Sequence, residues 1–489
     1  MSSLLNKLRE WISKPTPQDM DKTVSVIHPL DDSLSPTKAS EHVDYSTDLP
    51  ETKEYGYPGF AEILKEPGPL FITGQAGTGK STLVRKLVSD FRESGIRAAV
   101  VAPTGIAALN SKGETIHSLF KFPPRFVDYK TLSGAQPDIL SVLDYLIIDE
   151  VSMVRADMMD CIHVAFCLSK KIADYANAPF CGGVKVIFVG DLYQLPPVVK
   201  GDLEQVFTES GEWKSPWFFD AHCLVNRRIP CIELTEVYRL SNEEGRDKFL
   251  STLGKIRSGE VDASLLNFLH TESSESLESP VYLTGTRLKA EEINLQELNK
   301  IEAHSRDYVG RLEGSVEYKE QDFPSPMQLT LKVGAQVMIT KNIPEKGLIN
   351  GMMGIIEEMG REVIAIKIRR ESGNSELVTI KESGWTQFKH VFNREKRQID
   401  PKEIGTFFQF PLKLGWAITV HKSQGLTLPA ATISIDRAFA CGQIYVALSR
   451  VRRLKDLSFS KPLRIHDVQC DSRVTHFLNS RVDYKLGVG

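Results

Sequence analysis

Seven cysteines in 489 residues (Cys161, Cys167, Cys181, Cys223, Cys231, Cys441 and Cys470), with no C-x-x-C among them, exclude a disulfide framework and a structural zinc site. A reducing compartment follows. Long hydrophobic runs are also missing: nothing approaches the ~18 to 20 apolar residues of a membrane-spanning helix. Nor is there an excess of charge. Sixty Lys and Arg against 63 Asp and Glu leave a net charge of −3, which argues against a polybasic, histone-like partner of nucleic acid. Apolar residues at 41% and charged residues at 25% are ordinary for globular chains, and the length suggests about three domains.

The average charge hides a gradient. Residues 1–55 hold 6 basic and 10 acidic side chains, so the other 434 residues carry +1. This stretch is rich in Ser, Thr, Pro and Asp and reads as a flexible acidic N-terminal tail. Within it Leu4, Leu5, Leu8, Trp11 and Ile12 would line one face of a short helix. That segment, 4–12, suits a protein partner or packing on its own domain. Glu10 and the acids that follow speak against organelle targeting.

From Pro69 short apolar runs alternate with helical stripes. Leu70–Thr73, Ile96–Ala102, Leu143–Ile148 and Val184–Val189 read as strands, and Leu83, Val84, Leu87, Val88 and Phe91 as a helix face. Such alternation predicts an α/β fold with a parallel sheet whose strand ends carry the site. Further runs at 281–283, 336–339 and 430–435 predict a second α/β domain, without a clear sequence repeat. Between Gly354 and Phe410 short strand candidates are separated by turns without a long helix, which predicts a small inserted β-barrel. Its residues 361–402 hold 10 basic and 6 acidic side chains.

Gly74-Gln75-Ala76-Gly77-Thr78-Gly79-Lys80-Ser81, followed by Thr82, fits the phosphate-loop pattern G-x-x-x-x-G-K-[ST] between a strand and a helix. Glycines let backbone N–H groups curl round phosphates. Lys80 would reach the β- and γ-phosphates of ATP, and the Ser81 hydroxyl would ligate Mg²⁺. Leu146-Ile-Ile-Asp149-Glu150 brings two carboxylates to a strand end, Asp149 for Mg²⁺ and Glu150 to activate the attacking water. A water-activating Glu fits hydrolysis better than a small-molecule kinase. Gln194, in Gly190-Asp-Leu-Tyr-Gln-Leu-Pro-Pro197, either senses the γ-phosphate or belongs to a plain turn. Arg239 and Arg450 are candidates to reach the phosphates from the second domain.

Together these stretches resemble the Pif-type DNA helicases of superfamily 1, the branch with the RecD-like enzymes that moves 5′ to 3′ on single-stranded DNA. The resemblance adds Ala102-Pro-Thr-Gly-Ile-Ala-Ala108, Thr115-Ile-His117-Ser118 with Lys121-Phe-Pro-Pro124, and Ile148-Asp-Glu-Val-Ser-Met153. It continues with Glu236-Val-Tyr-Arg239, Gly334-Ala-Gln-Val-Met338, Asn350-Gly351 with Gly354, Thr419-Val-His-Lys-Ser-Gln-Gly425 and Gln443–Arg450. These pieces run in family order over 69–457, and 157–189 resembles the segment particular to Pif members.

The resemblance implies two RecA-like domains with ATP between them, 56–235 and 236–353 with 411–489. The insert 354–410 would be a Src-homology-3-like barrel, and a wedge near 119–138 would part the duplex. It makes Arg239 and Arg450 arginine fingers and Gln194 a coupling residue, and brings Gln424 and Gly425 near the nucleotide. DNA would be held by Thr104, His117 and Ser118 from the first domain and by Thr419, His421, Lys422 and Ser423 from the second. Phe120 and Phe122 would either stack on bases or pack in the core.

Implied partners are single-stranded DNA and its junctions with duplex, RNA–DNA hybrid or quadruplex DNA, and no membrane. The implied compartment is the nucleoid-bearing cytoplasm for a bacterial chain, or else nucleus or mitochondrion. The chain departs from the family twice: no Gln stands in Tyr55–Leu64 to read adenine, and Leu240 follows Arg239 where Gln is usual. Other readings are an ATPase that moves on RNA or remodels nucleoprotein, and a nucleotide-gated binding module without turnover.

Overall fold

The computed structural model describes residues 60–486 apart from 124–126, 135, 200–206, 208–210, 241–244, 278–279, 317–322, 370–373, 394–397 and 480–481. The tail 1–55, with its segment 4–12, lies outside the described residues, as does Tyr55–Gly59 of the stretch without Gln. Residues up to Pro67 belong to a unit of their own, in which the helix Phe60–Lys65 is described. Gly68–Leu486 forms the other unit and carries every candidate site residue.

The larger unit opens with β1 (Pro69–Gly74), α1 (Lys80–Glu93), β2 (Ala98–Ala102), α2 (Gly105–Asn110), β3 (Glu114–Thr115) and α3 (Ile116–Phe120). Next come α4 (Asp138–Val142), β4 (Tyr145–Ile148), α5 (Ala156–Ser169), β5 (Lys185–Val189) and β6 (Cys231–Leu234). The strands join a seven-stranded sheet in the order Val482–Leu486, β6, β1, β5, β4, β2, β3, with every neighbouring pair parallel. β1, β4 and β5 are buried along their whole length, as expected of strands covered on both faces. α1 turns Leu83, Val84, Leu87 and Phe91 to the core, the stripe its 3.6-residue period dictates.

After α6 (Arg246–Ser258) and α7 (Ala263–Glu272), β7 (Val281–Thr284) begins a second parallel sheet, and α8 (Arg287–Asn299) follows it. The chain then leaves for a run of antiparallel strands: β8 (Ser305–Val309), β9 (Arg311–Gly314), β10 (Gln328–Lys332), β11 (Gln336–Ile339) and β12 (Met353–Met359). β13 (Val363–Arg369), β14 (Ser375–Lys381), β15 (Ser383–Asn393), β16 (Gln398–Gln409) and β17 (Leu412–Leu414) complete the run. It returns as β18 (Ala417–Thr419), α9 (Val420–Ser423), β19 (Ala431–Ser434), α10 (Gln443–Leu448), β20 (Leu457–Phe459), α11 (Ser472–Asn479) and β21 (Val482–Leu486). The second sheet has the order β18-β7-β19-β20, all parallel.

Three sequence-based expectations are corrected. The run 336–339 is β11, between β12 and β17 in the antiparallel sheet β14-β13-β12-β11-β17 and not in the second parallel sheet. The antiparallel region begins at Ser305 rather than 354. Its described strands form ladders of five, three (β15-β16-β9) and two (β10-β8). It has its own core of Leu331, Val337, Ile356, Ile366 and Leu412. Finally, the C-terminus leaves the second α/β part. Trp217 Nε1 donates to Asp471 Oδ2 (2.7 Å), Phe477 of α11 stacks on Phe219 (4.3 Å between centroids), and β21 pairs with β6. Aromatic burial and backbone pairing outweigh sequence proximity here.

The two parallel sheets also repeat a detail. Ala102 pairs with Thr115 across β2 and β3, and Thr284 with Thr419 across β7 and β18. Thr104, Thr115, Thr286 and Thr419 each cap the helix that follows, accepting from the N–H of Ala107, Ser118, Lys289 and Lys422 respectively. The repeat is one of geometry, visible in sequence only as Thr-Ile-His and Thr-Val-His.

Candidate nucleotide and nucleic-acid site

The phosphate loop leaves β1 at Gly74 and enters α1 at Lys80. Gly77 has φ +87°, and a Cβ there would lie 2.5 Å from Arg239 Cβ, so only glycine fits. Lys80 Nζ donates to the carbonyls of Gly74 (2.7 Å) and Gln75 (2.9 Å) and would exchange these bonds for phosphate oxygens. Burial is the main cause that lowers its pKa, and the charges of Asp191 and Glu150 oppose it. Thr78 is buried with its hydroxyl on Gln75 O, Ser81 is exposed, and Thr82 and Gly79 are half-buried.

Asp149 and Glu150 emerge at the end of β4. Asp149 Oδ1 accepts the Glu150 N–H (2.9 Å), and Glu150 takes a left-handed backbone (φ +51°), rare for a residue with a Cβ. Burial first and the charge of Glu150 second push Asp149 up to about 7. Burial also raises Glu150, against the pull of Lys80 and Arg450. Glu150 Oε2 accepts from Gln424 Nε2 (2.8 Å), which also donates to Gln194 Oε1 (3.1 Å). Gln424 thus joins the carboxylate to the second sheet, and Gln194 accepts from the same amide. Gly425, next to Gln424, is exposed.

Arg450 is 1% exposed and donates to the carbonyls of Val446 (2.7 Å) and Ser423 (3.1 Å) and to Ser449 Oγ (2.8 Å). Burial, then the like charge of Arg239, lowers it to about 9. Arg239 donates to Ser449 O (3.0 Å). Two neighbouring guanidinium groups that repel each other are a setting that an anion would relieve. Arg239 does not reach over from the second part, however. It follows β6 of the first sheet, where Tyr238 N donates to Gly77 O (2.9 Å), and only Arg450 comes from across. Leu240, in place of the expected Gln, is buried in the core.

On the nucleic-acid side, Thr104 and Thr419 use their oxygens as helix-cap acceptors, which leaves each O–H proton to donate outward. His117 is half-buried, Ser118 donates to Glu114 Oε2 (2.7 Å), and Lys422 is exposed. Ser423 is buried with its hydroxyl on Val420 O (2.8 Å) rather than facing a ligand, and its backbone carbonyl accepts from Arg450. Phe120 and Phe122 are 2% and 6% exposed, stack on each other (5.3 Å), and Phe120 meets Phe166 edge-on. They pack in the core, which removes them as base-stacking faces.

Of the wedge 119–138, residues 124–126 and 135 lie outside the described residues, and Tyr129 is tied to Glu212 (3.2 Å) and packs against Trp213. Residues missed in the sequence are Thr115 and Thr286, the partners of the named threonines, and Phe439. Phe439 is 56% exposed and lies parallel to the His421 ring (7° between planes). Asp191, Arg257 and Tyr445 were also missed. Asp191 and Tyr445 lie inside the quoted motifs 190–197 and 443–450, whereas no motif marks Arg257.

A phosphate loop, the buried Asp149 with the half-buried Glu150, and an arginine from a second parallel sheet define a nucleotide-binding protein of the phosphate-loop class. The PIF1-like helicase family model matches residues 60–265, and that of the DNA helicase Pif1 2B domain matches residues 319–359, within the antiparallel region. The human ATP-dependent DNA helicase PIF1 is 32% identical over 457 residues, covering 88% of this chain. The chain spans 64% of that relative's length.

Unliganded Pif1 from Bacteroides sp. matches with a TM-score of 0.73 at 31% identity, over 84% of this chain and 92% of that one. Bacteroides Pif1 bound to single-stranded DNA matches with 0.60 at 31% identity, over 86% and 95%. This chain belongs to the PIF1-like helicase family. Its arrangement is nearer to the unliganded relative than to the DNA-bound one.

Proposed function

We infer that this protein is an ATP-dependent DNA helicase that moves 5′ to 3′ on single-stranded DNA and opens duplex or structured DNA ahead of it. One observation carries the reading: Gln424, at the end of the segment Thr419–Gln424, donates to Glu150. The strip proposed to grip DNA is therefore one hydrogen bond from the carboxylate proposed to activate water. A binding module without turnover has no use for that link. Relatives named ATP-dependent DNA helicase, and a Bacteroides Pif1 structure in complex with ADP-AlF4, support the same reading.

In this reading ATP displaces the loop carbonyls from Lys80, and its γ-phosphate draws Arg239 and Arg450 towards one point. Glu150 orients the attacking water, and Gln194 and Gln424 report the change to the second sheet. The threonine pairs then hold the strand in turn from each sheet, so that opening and closing become steps along it. The donor set also suits a divalent cation, because burial and the neighbouring Glu150 disfavour the Asp149 anion, a cost that a cation would offset. Asp149 and Ser81 would hold Mg²⁺, which supplies neutralisation of the phosphoryl charge. Forks, RNA–DNA hybrids and quadruplexes are the proposed targets. Among the described residues no helix is long and apolar enough to cross a membrane. The proposed compartment is whichever holds the DNA: bacterial nucleoid, nucleus or mitochondrion.

The test is a strand-displacement assay with ATP on duplexes carrying a 5′ or a 3′ tail. Opening of the 5′-tailed substrate is expected, with Lys80→Ala inactive. Opening of only the 3′-tailed substrate would refute the polarity. Turnover stimulated by RNA and not by DNA would favour the RNA-translocating ATPase.

A further inference from the structure

The phosphate loop is held by a residue far along the sequence. Ala76 N–H, one of the loop amides, donates to the hydroxyl of Tyr445 (2.9 Å), and that hydroxyl in turn donates to Asp191 Oδ2 (3.0 Å). Asp191 is fully buried. Its other oxygen accepts from Arg257 Nε (3.2 Å) and from Tyr193 N (3.3 Å). Arg257 lies over the Tyr193 ring (4.5 Å to the centroid) and near Glu233 (3.6 Å), and its Nη2 is ion-paired with Asp191 Oδ1 (3.2 Å). Tyr445 is 2% exposed. Burial first, and the charge of Asp191 next, raise its phenol, so it stays protonated: a donor to Asp191 and an acceptor for Ala76.

Tyr445 stands on α10, and both ends of that short helix touch the nucleotide motifs. At its start a Cβ on Gly442 would lie 2.2 Å from Tyr193 O, so the helix is pressed against the Gln194 loop. At its end Ser449 N donates to Tyr445 O, Ser449 O accepts from Arg239, and Arg450 follows. A displacement of the loop at Ala76 therefore acts on the element that carries Arg450.

We propose that Tyr445 is a positioning residue that couples the phosphate loop to α10: its hydroxyl occupies the Ala76 amide until a nucleotide phosphate takes that amide, and the release moves Arg450. The loop amides of this motif are donors suited to phosphate oxygens, and a side-chain hydroxyl on one of them is a competitor for the same donor. The proposal rests on the ATPase reading above. It adds that the second sheet sets the loop's readiness through one hydroxyl anchored by a buried carboxylate and Arg257.

The experiment is Tyr445→Phe, assayed for ATP turnover with and without single-stranded DNA. The variant frees Ala76 N–H and cuts the link. Apparent KM for ATP should fall while DNA-stimulated kcat drops roughly tenfold, the loss of one charge-assisted hydrogen bond. A merely structural role would loosen the loop and raise KM. A raised KM, or an unchanged kcat, overturns the proposal.

Should the Phe variant not fold, 3-fluorotyrosine at position 445 keeps the shape and the hydroxyl. Its ¹⁹F resonance should shift on addition of ADP with aluminium fluoride, and an unmoved resonance overturns the proposal. Absence of DNA stimulation in the wild type would instead sink the helicase reading, and the ¹⁹F measurement would still judge Tyr445.

Discussion

Asp149 shows how a residue's setting becomes a property of the whole chain. Its carboxyl is held at about 7 by burial and by Glu150, against about 4 for an exposed Asp, so the folded chain keeps a proton that the unfolded chain gives up. A carboxyl raised on folding penalises the folded state as pH increases: the penalty is absent below about 4 and complete above about 7. Between pH 5 and pH 8 the urea-unfolding free energy of the wild type should therefore fall by on the order of 2 kcal/mol more than that of Asp149→Asn. Parallel pH profiles for the two chains would remove Asp149 from this role. At the same scale the sequence was legible where chemistry is local. Lys80, Asp149 and Glu150 follow from a loop pattern and a strand end. The burial of Phe120, Phe122 and Ser423 was not legible, because an aromatic or a serine beside a motif looks the same in either setting.

Among the elements, α5 shows how one buried helix organises distant chain. Nearly all its side chains are buried, and Asp160 at its centre accepts from Trp213 Nε1 (2.7 Å), His222 N (3.1 Å) and Cys223 N (2.9 Å). The helix thereby fixes a loop some sixty residues further on, since Asp160 and Cys223 are 63 positions apart. Asp160→Ala leaves three donors without their acceptor and should cost about 3 kcal/mol, read as a fall in melting temperature that Asp160→Asn partly restores. A variant that melts with the wild type would show that water serves those donors equally well. Strands and helices of the parallel sheets were legible from period and turn residues. The affiliation of β11 was not, since a short apolar run is compatible with a parallel or an antiparallel ladder.

At the scale of the molecule, the C-terminal segment closes the first sheet. A chain ending at Cys470 would lose Asp471, α11 and β21, and with them the Phe477–Phe219 stack and the edge strand beside β6. Loss of one large buried aromatic alone is worth about 3 to 5 kcal/mol, so this chain should melt well below the full one and bind nucleotide weakly. A truncated chain that melts normally would make the C-terminus an ornament. The near-neutral net charge also takes its meaning here. A cationic path for DNA would need only a local excess, such as the 10 basic against 6 acidic side chains of 361–402, and the average over 489 residues is blind to it. By itself the sequence determined the phosphate loop, the order of the motifs and the presence of two α/β parts, because each is written in a few contiguous residues whose sterics and hydrogen bonds decide it. Only the tertiary structure decided which distant groups meet. Glu150 reaches Gln424 across 274 positions and Ala76 reaches Tyr445 across 369. Such pairs come from the packing of two sheets into one core, where the summed volumes of many side chains, and no local pattern, choose the partners.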